Sequence, residues 1–256
     1  MPHLDRFAAL AAVLPLVSCY QFQMHAQAGY AQMKVDGEAG YLTTGTSPAT
    51  SGSIRQDFES AFGIGDDQGA PYARVSADMG VPVIAVSGFL FDEQGTGTLQ
   101  AQFGNLSAGV DVRSKLDFAN VKASYALKIP IGPVSIAPGI AVDYFDFELD
   151  VQDTAGLLRE NVQLQAPIPL AFVRGQLDLS VFTVLGEVGY VEVDTGDVQG
   201  SLLDIEAMAQ WHANAWIDVF VGYRALHLDA DGTIDNDTFD TTITVSGFLV
   251  GGGFTF

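Results

Sequence analysis

The residues best suited to chemistry in this chain are polar side chains that recur at every second position of apolar segments. This spacing puts them on one face of a β-strand, because successive side chains of a strand point to opposite faces. In a water-filled interior such residues would form a selective lining. In a closed interior they would form ion pairs, because buried charges must be paired. We predict an inward-facing set, a candidate pore lining, made of Asp36, Glu38, Arg74, Asp78, Lys122, Lys128, Glu187, Asp204, Glu206, Gln210, Asp218 and Arg224.

A weaker candidate for chemistry is the acidic segment 229–240. It resembles the central part of an EF-hand calcium loop, with the pattern Asp-x-Asp-Gly-x-Ile-Asp. The candidate ligands are Asp229, Asp231, Asp235 and Asp237. However, His227 stands at the first ligand position of such a loop, and Thr238 stands where the final bidentate acid belongs. We therefore expect no metal and no cofactor, and we interpret the segment as an acidic, solvated loop.

The chain offers little for catalysis. Its sequence contains no Gly-x-Ser-x-Gly, no His-Glu-x-x-His and no phosphate-binding loop. Of its four histidines, His3 and His25 lie close to the N-terminus, and His212 and His227 lie in the alternating region. We predict that the protein is not an enzyme. A barrel enzyme acting on lipid or peptide is the open alternative, because outer-membrane lipases and proteases carry Ser, His and Asp on their barrels.

Composition narrows the class of protein. The chain has 31 acidic and 11 basic residues and a formal net charge of -20, which argues against a nucleic-acid partner. Although 48% of its residues are hydrophobic, no apolar run approaches the roughly 20 residues that a membrane-spanning helix needs. The 28 glycines and 17 phenylalanines suit a twisted sheet with aromatic girdles. Contact with a membrane would therefore come from alternating strands.

Alternation of apolar and polar residues predicts the elements that position the polar set. The clearest pattern runs from Leu203 to His212. Another strand, from Val162 to Phe172, carries Pro167 and Pro169, each of which lacks a donor for the ladder and so weakens the strand locally. The first strand is predicted over Lys34 to Thr44.

The connections between these segments alternate in length. They are short after Met79, Ile129, Leu177 and His212, and longer after Thr44, Phe91, Gln152, Asp194 and Leu228. Short turns at one end and long loops at the other are typical of outer-membrane barrels. We predict an all-β fold: a single antiparallel transmembrane β-barrel of about ten strands, within a range of about 8–12. A two-sheet sandwich is the alternative.

The last segment, Thr241 to Phe256, places Phe248, Val250, Phe254 and Phe256 on one face. It resembles the C-terminal strand of bacterial outer-membrane barrels. The resemblance implies that Phe248, Phe254 and Phe256 form a C-terminal assembly signal, with the barrel assembly machinery and outer-membrane lipid as partners.

Residues 219–256 also resemble the closing hairpin of small OmpW-like and YfaZ-like proteins of Gram-negative bacteria. That likeness is carried by Gly222-Tyr223-Arg224, Leu228-Asp229 and Ser246-Gly247-Phe248, and it implies a location in the cell outer membrane.

The N-terminus has the features of an export signal. Arg6 precedes the apolar stretch Phe7 to Val17, which is too short to span a bilayer. Leu16-Val17-Ser18-Cys19 resembles the lipobox of bacterial lipoproteins, so we predict a signal peptide at 1–18 and lipidation of Cys19. Cleavage after Ala28 is the alternative. Residues 29–256 are predicted to form the barrel.

These observations lead to two hypotheses about function. The first is an integral outer-membrane barrel, porin-like, with a structural role in the cell envelope or a narrow passive passage for small solutes. The second is a lipid-anchored soluble β-sandwich or barrel that binds a small ligand in the periplasm.

Overall fold

A computed structural model describes residues 22–42, 55–194, 198–234 and 237–256. Most of them lie in strands. The strands are β1 Gln23–Leu42, β2 Gln56–Asp57, β3 Gln68–Asp78, β4 Pro82–Thr98, β5 Asp111–Leu127, β6 Ile129–Ile131, β7 Val134–Asp153, β8 Arg159–Asp178, β9 Phe182–Asp194, β10 Val198–His212, β11 Ile217–Ile234 and β12 Asp237–Thr255. No helix in the described segments is long and apolar enough to cross a bilayer.

The strands form one closed antiparallel barrel. Each of the ten long strands pairs with its sequence neighbours, and β12 returns to pair with β1 from His25↔Thr255 to Leu42↔Thr238. The short strands β2 and β6 add to the edges of β1 and β7. This architecture confirms the predicted barrel of about ten strands. It also overturns the sandwich, because a two-sheet sandwich would leave β1 and β12 as free edges.

The two ends of the barrel differ. At one end, here called the turn end, the connections are the short turns 79–81, 132–133, 179–181 and 213–216. The opposite, loop end carries the remaining connections, including residues 99–110. The predicted longer connection is present between β4 and β5, whereas only three residues separate β9 from β10 and two separate β11 from β12, so those two connections are as short as the turns and their predicted length is wrong.

Several predicted loops are wrong in their extent, because the strands continue into them. β4 runs to Thr98 instead of ending at Phe91, and β11 runs to Ile234 through most of the predicted acidic loop. In β4 the continuation is hidden by glycine: Gly95 and Gly97 face inward, where a Cβ would lie within 2.3 Å of backbone atoms of the segment 61–63. A β-strand with glycines at inward positions loses its apolar alternation and reads as a loop.

A short segment closes part of the loop end from within. It comprises β2 and a π-helical turn at Phe58–Phe62, which ends at the left-handed Gly63 (φ 69°). The ring of Phe62 lies 5.1 Å from that of Phe103, and Oε1 of Glu93 accepts hydrogen bonds from the backbone N–H groups of Gly65 and Asp66. This segment is therefore packed inside the barrel wall.

The outer wall carries a continuous apolar belt beside the turn end. Its members are the exposed side chains Val75, Ile84, Val86, Leu90, Val121, Leu127, Ile136, Ile140, Val142, Val173, Val184, Val188, Ile205, Val219, Val221 and Val250. Aromatic side chains border the belt on the loop side: Tyr30, Tyr144, Tyr190, Tyr223 and Phe248. A second aromatic border faces the turn end: Phe22, Phe182, Trp211, Trp216, Phe254 and Phe256. An apolar band between two aromatic girdles is the lipid-contacting surface of a transmembrane barrel.

Beyond the belt, the outer wall becomes polar. On β7 the outward residues after Tyr144 are Asp146, Glu148 and Asp150, and on β1 the outward residues after Tyr30 include Gln32. The loop-end half of the barrel therefore projects out of the bilayer. Its acidic outer wall accounts for much of the negative charge of the chain.

Candidate functional site in the barrel interior

The middle of the lumen is filled by a cluster of buried charges, here called the ionic layer. Its cations are Arg74, Lys122, Arg174 and Arg224, and its anions are Asp143, Glu187, Asp204 and Glu206. The layer thus balances four positive and four negative charges. Each side chain is at most 6% exposed, so these residues close the lumen at this height.

Some contacts of the ionic layer cross the lumen between strands that are not neighbours, and others, such as Arg174 with Glu187, join adjacent strands. Arg74 on β3 pairs with Glu187 on β9 and, at 2.5 Å, with Glu206 on β10. Lys122 on β5 lies 3.0 Å from Glu187 and 2.8 Å from Asp204. Because each of these carboxylates accepts from more than one cation, the layer is a shared network and not a set of isolated pairs.

Arg224 lies at the centre of the network and is fully buried. Its Nη2 is 3.3 Å from Asp143 and 3.2 Å from Asp204, and its Nε is 3.8 Å from Glu206. Its guanidinium also lies over the ring of Phe89, 5.4 Å from the centroid. Towards the loop end, Phe89 belongs to a group of stacked and tilted rings, Phe89, Phe91, Phe118 and Phe145. These rings cover the ionic layer with apolar surface.

The structure places most of the predicted inward-facing set in the interior. The buried members are Arg74, Lys122, Glu187, Asp204, Glu206, Gln210, Asp218 and Arg224. Asp78 and Lys128 pair at 2.6 Å near the turn end, where both are partly exposed. Asp36 and Glu38 point outward, so their predicted inward position is wrong. The reason is their position along the barrel axis. In the part of the barrel beyond the membrane, the outer wall is polar and the interior is apolar.

Sequence reasoning missed four interior groups. Asp143 and Arg174 belong to the ionic layer, and Tyr72 and Asn120 bond to it, Tyr72 Oη donating to Glu206 at 3.0 Å and Asn120 Nδ2 to Asp143 at 3.2 Å. Asp143 shares its strand face with Phe145 and Phe147, which suggested an apolar face. The alternation itself could have identified them, because every second residue of a strand faces the interior. On one strand this inward set mixes aromatic and charged side chains.

A polar vestibule lies between the ionic layer and the turn end, with a volume of about 490 Å³. Its hydrogen bonds include Gln27 Nε2 to Asp218 at 3.1 Å, and Thr183 Oγ1 with His212 Nε2 at 3.0 Å. His227 lies elsewhere, on the outer wall, with Nδ1 2.8 Å from Thr244 Oγ1. His25 on β1 lines the vestibule together with His212, whereas His227 lies apart from both.

An apolar pocket of about 590 Å³ lies on the other side of the ionic layer, at the loop end. Its apolar walls include Tyr41, Phe103, Phe147, Leu149, Val162, Leu164, Ile168, Val191, Val193, Leu202, Leu228, Phe239 and Ile243. The polar residues in its lining are Gln163, Gln199, Ser201, Thr241 and Tyr41. None of the described residues that line it carries a charge, although the chain as a whole has 42 Asp, Glu, Lys and Arg residues (31 acidic and 11 basic).

The structure describes the side chains of two of the four calcium candidates. Asp229 and Asp231 lie on β11, where Oδ2 of Asp229 accepts a hydrogen bond from Thr242 Oγ1 at 3.0 Å. Asp235 and Cys19 lie outside the described residues, as does the side chain of Asp237. Among the described part of the chain, no three His, Cys, Asp or Glu side chains are grouped so as to hold a metal ion.

Comparisons with known proteins identify the fold. No family model and no curated protein matches the chain. The outer-membrane protease OmpT from Escherichia coli has a similar structure, with a TM-score of 0.55 and 10% identity over 94% of this chain and 99% of that chain. Ail, the attachment invasion locus protein of Yersinia pestis, gives a TM-score of 0.38 and 10% identity over 92% and 99%. The finer resemblance of residues 219–256 to OmpW-like and YfaZ-like proteins stays a prediction.

The closed barrel and its apolar outer belt indicate the same class of protein. A closed barrel leaves no strand edge unpaired in lipid, and the apolar belt between aromatic girdles supplies the surface that lipid requires. The short turns then face the periplasm, and the projecting acidic half faces the exterior. The chain is therefore a small ten-stranded β-barrel of the outer membrane.

Proposed function

We propose that this outer-membrane barrel binds an uncharged, apolar small molecule in the pocket at its loop end. The observation that carries the proposal is the pocket itself, about 590 Å³ in volume, without a charged lining residue. Small-molecule sites usually span about 300–1,000 Å³ and combine apolar walls with a few polar groups. This pocket has the same proportions.

The ionic layer gives the pocket a floor and argues against a passive passage. An ion or polar solute crossing the lumen would have to separate charges that are almost fully buried and mutually paired. Breaking such pairs costs several kcal/mol, about 3–5 when one partner is removed. Of the two roles expected for an outer-membrane barrel, narrow passage or structure, the interior favours a sealed barrel whose loop end carries the function.

We propose that the pocket binds its ligand without catalysing a reaction. The described residues that line the pocket include no His, Cys, Asp, Glu, Lys or Arg, and these are the side chains that most often act as acids, bases and nucleophiles. OmpT is a protease, but the likeness extends to the fold at 10% identity. We therefore assign the pocket recognition of a ligand and not a reaction.

Titration with naphthalene, a neutral apolar probe, tests the proposal. In nanodiscs of deuterated lipid, we expect saturable shifts of the methyl NMR signals of Leu164, Ile168 and Val191, all of which line the pocket. Replacing Ile168 by Glu should weaken binding at least about tenfold, which is ~1.4 kcal/mol, because the new carboxylate would be desolvated by the ligand.

The matched control is Gln165→Glu, which adds the same charge on the outward face of the same strand. It should bind naphthalene as the wild type does. A second control is Leu185, a buried residue that lines the vestibule at the turn end, whose methyl signals should not move. Shifts confined to belt methyl groups such as those of Val221 would contradict the proposal, since they would report probe dissolved in the lipid.

We also propose that the signal peptide ends before Cys19 and that this cysteine is lipidated. The support comes from β1, which begins at Gln23. Cleavage after Ala28 would remove the strand segment from Gln23 to Ala28, which pairs with β3 along its whole length and with β12 from His25 onwards. The intact mass of the protein purified from outer membranes distinguishes the two sites: we expect a chain beginning at an acylated Cys19, and a chain beginning at Gly29 would refute it.

A further inference from the structure

The barrel wall has a cleft between β8 and β9. The ladder between these strands runs only from Asp178↔Thr183 to Ala171↔Tyr190. Beyond that point, among the residues that the structure describes, β8 continues to Arg159 paired with β7 alone, and residues 191–193 of β9 pair with β10. The cleft is the gap in the ladder between residues 159–170 of β8 and residues 191–193 of β9, and it is named here the β8–β9 cleft.

Two prolines lie on the β8 side of the cleft. Pro167 and Pro169 have no backbone N–H and cannot contribute donors to a ladder with β9. Both pair in register with β7, at Tyr144 and Val142, so the strand stays attached on that side. The prolines therefore keep this edge of β8 short of donors while β7 holds the strand in the wall.

Exposure shows that the cleft opens into the interior. Leu164 and Phe147 are register partners on β8 and β7 and both line the apolar pocket. Phe147 is 5% exposed, whereas Leu164 is 37% exposed. An inward side chain in a continuous wall would be covered by both neighbouring strands, so the exposure of Leu164 follows from the missing contact with β9.

The cleft connects the pocket with the edge of the membrane. Its rims are part of the pocket wall: Val162, Leu164, Ala166 and Ile168 on β8, and Val191 and Val193 on β9. Its lower boundary is the last ladder pair, Ala171↔Tyr190. Tyr190 belongs to the aromatic border of the belt, and its hydroxyl donates to Glu192 at 3.1 Å. The cleft thus begins where lipid-facing residues give way to polar ones.

We infer that the β8–β9 cleft admits a hydrocarbon chain of a membrane lipid sideways into the apolar pocket. This inference rests on the proposed function and specifies the class and source of its ligand. A chain that enters at the lower boundary, beside Tyr190, passes from the apolar belt to the apolar wall of the pocket. The uncharged lining suits a hydrocarbon chain, and a lipid headgroup would remain outside, beside the polar outer wall.

Photo-crosslinking from the bilayer tests the inference. The full-length barrel is reconstituted in phosphatidylcholine vesicles doped with a phosphatidylcholine that carries a diazirine on one acyl chain. After illumination, mass spectrometry maps the labelled residues. We expect labels on the inward residues Leu164 and Ile168 as well as on the belt residue Val221. The Ile168→Glu variant should lose pocket labels to background while the label on Val221 persists, and Gln165→Glu should label as the wild type does.

A second probe distinguishes a failure of sideways access from a failure of the apolar binding site. A diazirine-bearing fatty alcohol, added from the aqueous phase, can reach the pocket from the loop end without using the cleft. If this free probe labels the pocket and the phospholipid labels only the belt, sideways access is wrong and the apolar binding site stands. If neither probe labels the pocket in folded, heat-modifiable protein, the proposed function fails too.

Discussion

Replacing Arg224 by Met is expected to lower the free energy of unfolding by about 3–5 kcal/mol. Methionine keeps much of the volume of the side chain, so the loss would be chiefly electrostatic. Arg224 is fully buried and touches Asp143, Asp204 and Glu206. Without it, four carboxylates would share three cations in a site that water does not reach. Urea unfolding in lipid vesicles, followed by the gel shift between folded and unfolded barrel, measures the change.

Restoring the charge balance should recover part of the loss. In the double variant Arg224→Met/Asp143→Asn, three anions again face three cations. Asp143 accepts from Arg224 and from Asn120. We expect the double variant to be more stable than Arg224→Met alone, and the double-mutant cycle to give a coupling of about 0.5–3 kcal/mol, the range found for residues in one network.

Lys128→Met is the matched control for the ionic layer. Lys128 also forms an ion pair with a carboxylate, Asp78, but both side chains are 21% exposed in the vestibule. An exposed pair contributes about 0–1 kcal/mol. If Arg224→Met and Lys128→Met cost the same, the ionic layer would not be the stabilising network that its geometry indicates.

The barrel wall could be predicted from the sequence because a period of two in apolar residues needs no knowledge of the partners of a strand. Leu203 to His212 shows this clearly: Asp204 and Glu206 face the lumen, and Ile205 and Trp211 face lipid. The outward apolar face of the last segment, with Phe248, Val250 and Phe254, was recognised for the same reason. These features depend on local alternation, which can be recognised from consecutive residues alone.

Periodicity does not tell which face of a strand is inside, and this limited the prediction of the site. Within the membrane the apolar face is outside, and beyond the membrane the apolar face is inside. Asp36 was misplaced for this reason, and the apolar pocket was not predicted although the alternation of Val162 to Phe172 was recognised. The height of a residue relative to the bilayer depends on the stagger of all ten strands, which one segment does not record.

The β8–β9 cleft could be predicted from the sequence only in part. Pro167 and Pro169 predicted a weakened strand, and among the described residues the ladder of β8 with β9 ends at Ala171, before both prolines. What the prolines could not reveal is the side on which pairing is lost, since either neighbour of a strand can lose its donors. Nor could Asp143 and Arg174 be assigned to the ionic layer, because their partners come from β11 and β9.

Replacing Ile140 by Arg is expected to destabilise the inserted barrel by about 2–4 kcal/mol. Ile140 is 67% exposed and lies in the belt on β7, between Ile136 and Tyr144. At that position the guanidinium has only lipid and apolar neighbours around it, namely Tyr125 on β5 and Ala171 on β8. The cost falls to about 0–1 kcal/mol near the interfaces, so the size of the loss reports depth in the bilayer.

Gln165→Arg introduces the same side chain on the outer wall of the projecting half. Gln165 pairs with Asp146, to whose Oδ1 it donates at 3.0 Å, so the new charge would meet a carboxylate and water. We expect no loss of stability there. The comparison of the two variants, by urea unfolding in vesicles of fixed lipid composition, locates the outer boundary of the membrane between them. Equal stability of both variants would mean that the belt does not contact lipid, and the assignment of the membrane-spanning zone would have to be abandoned.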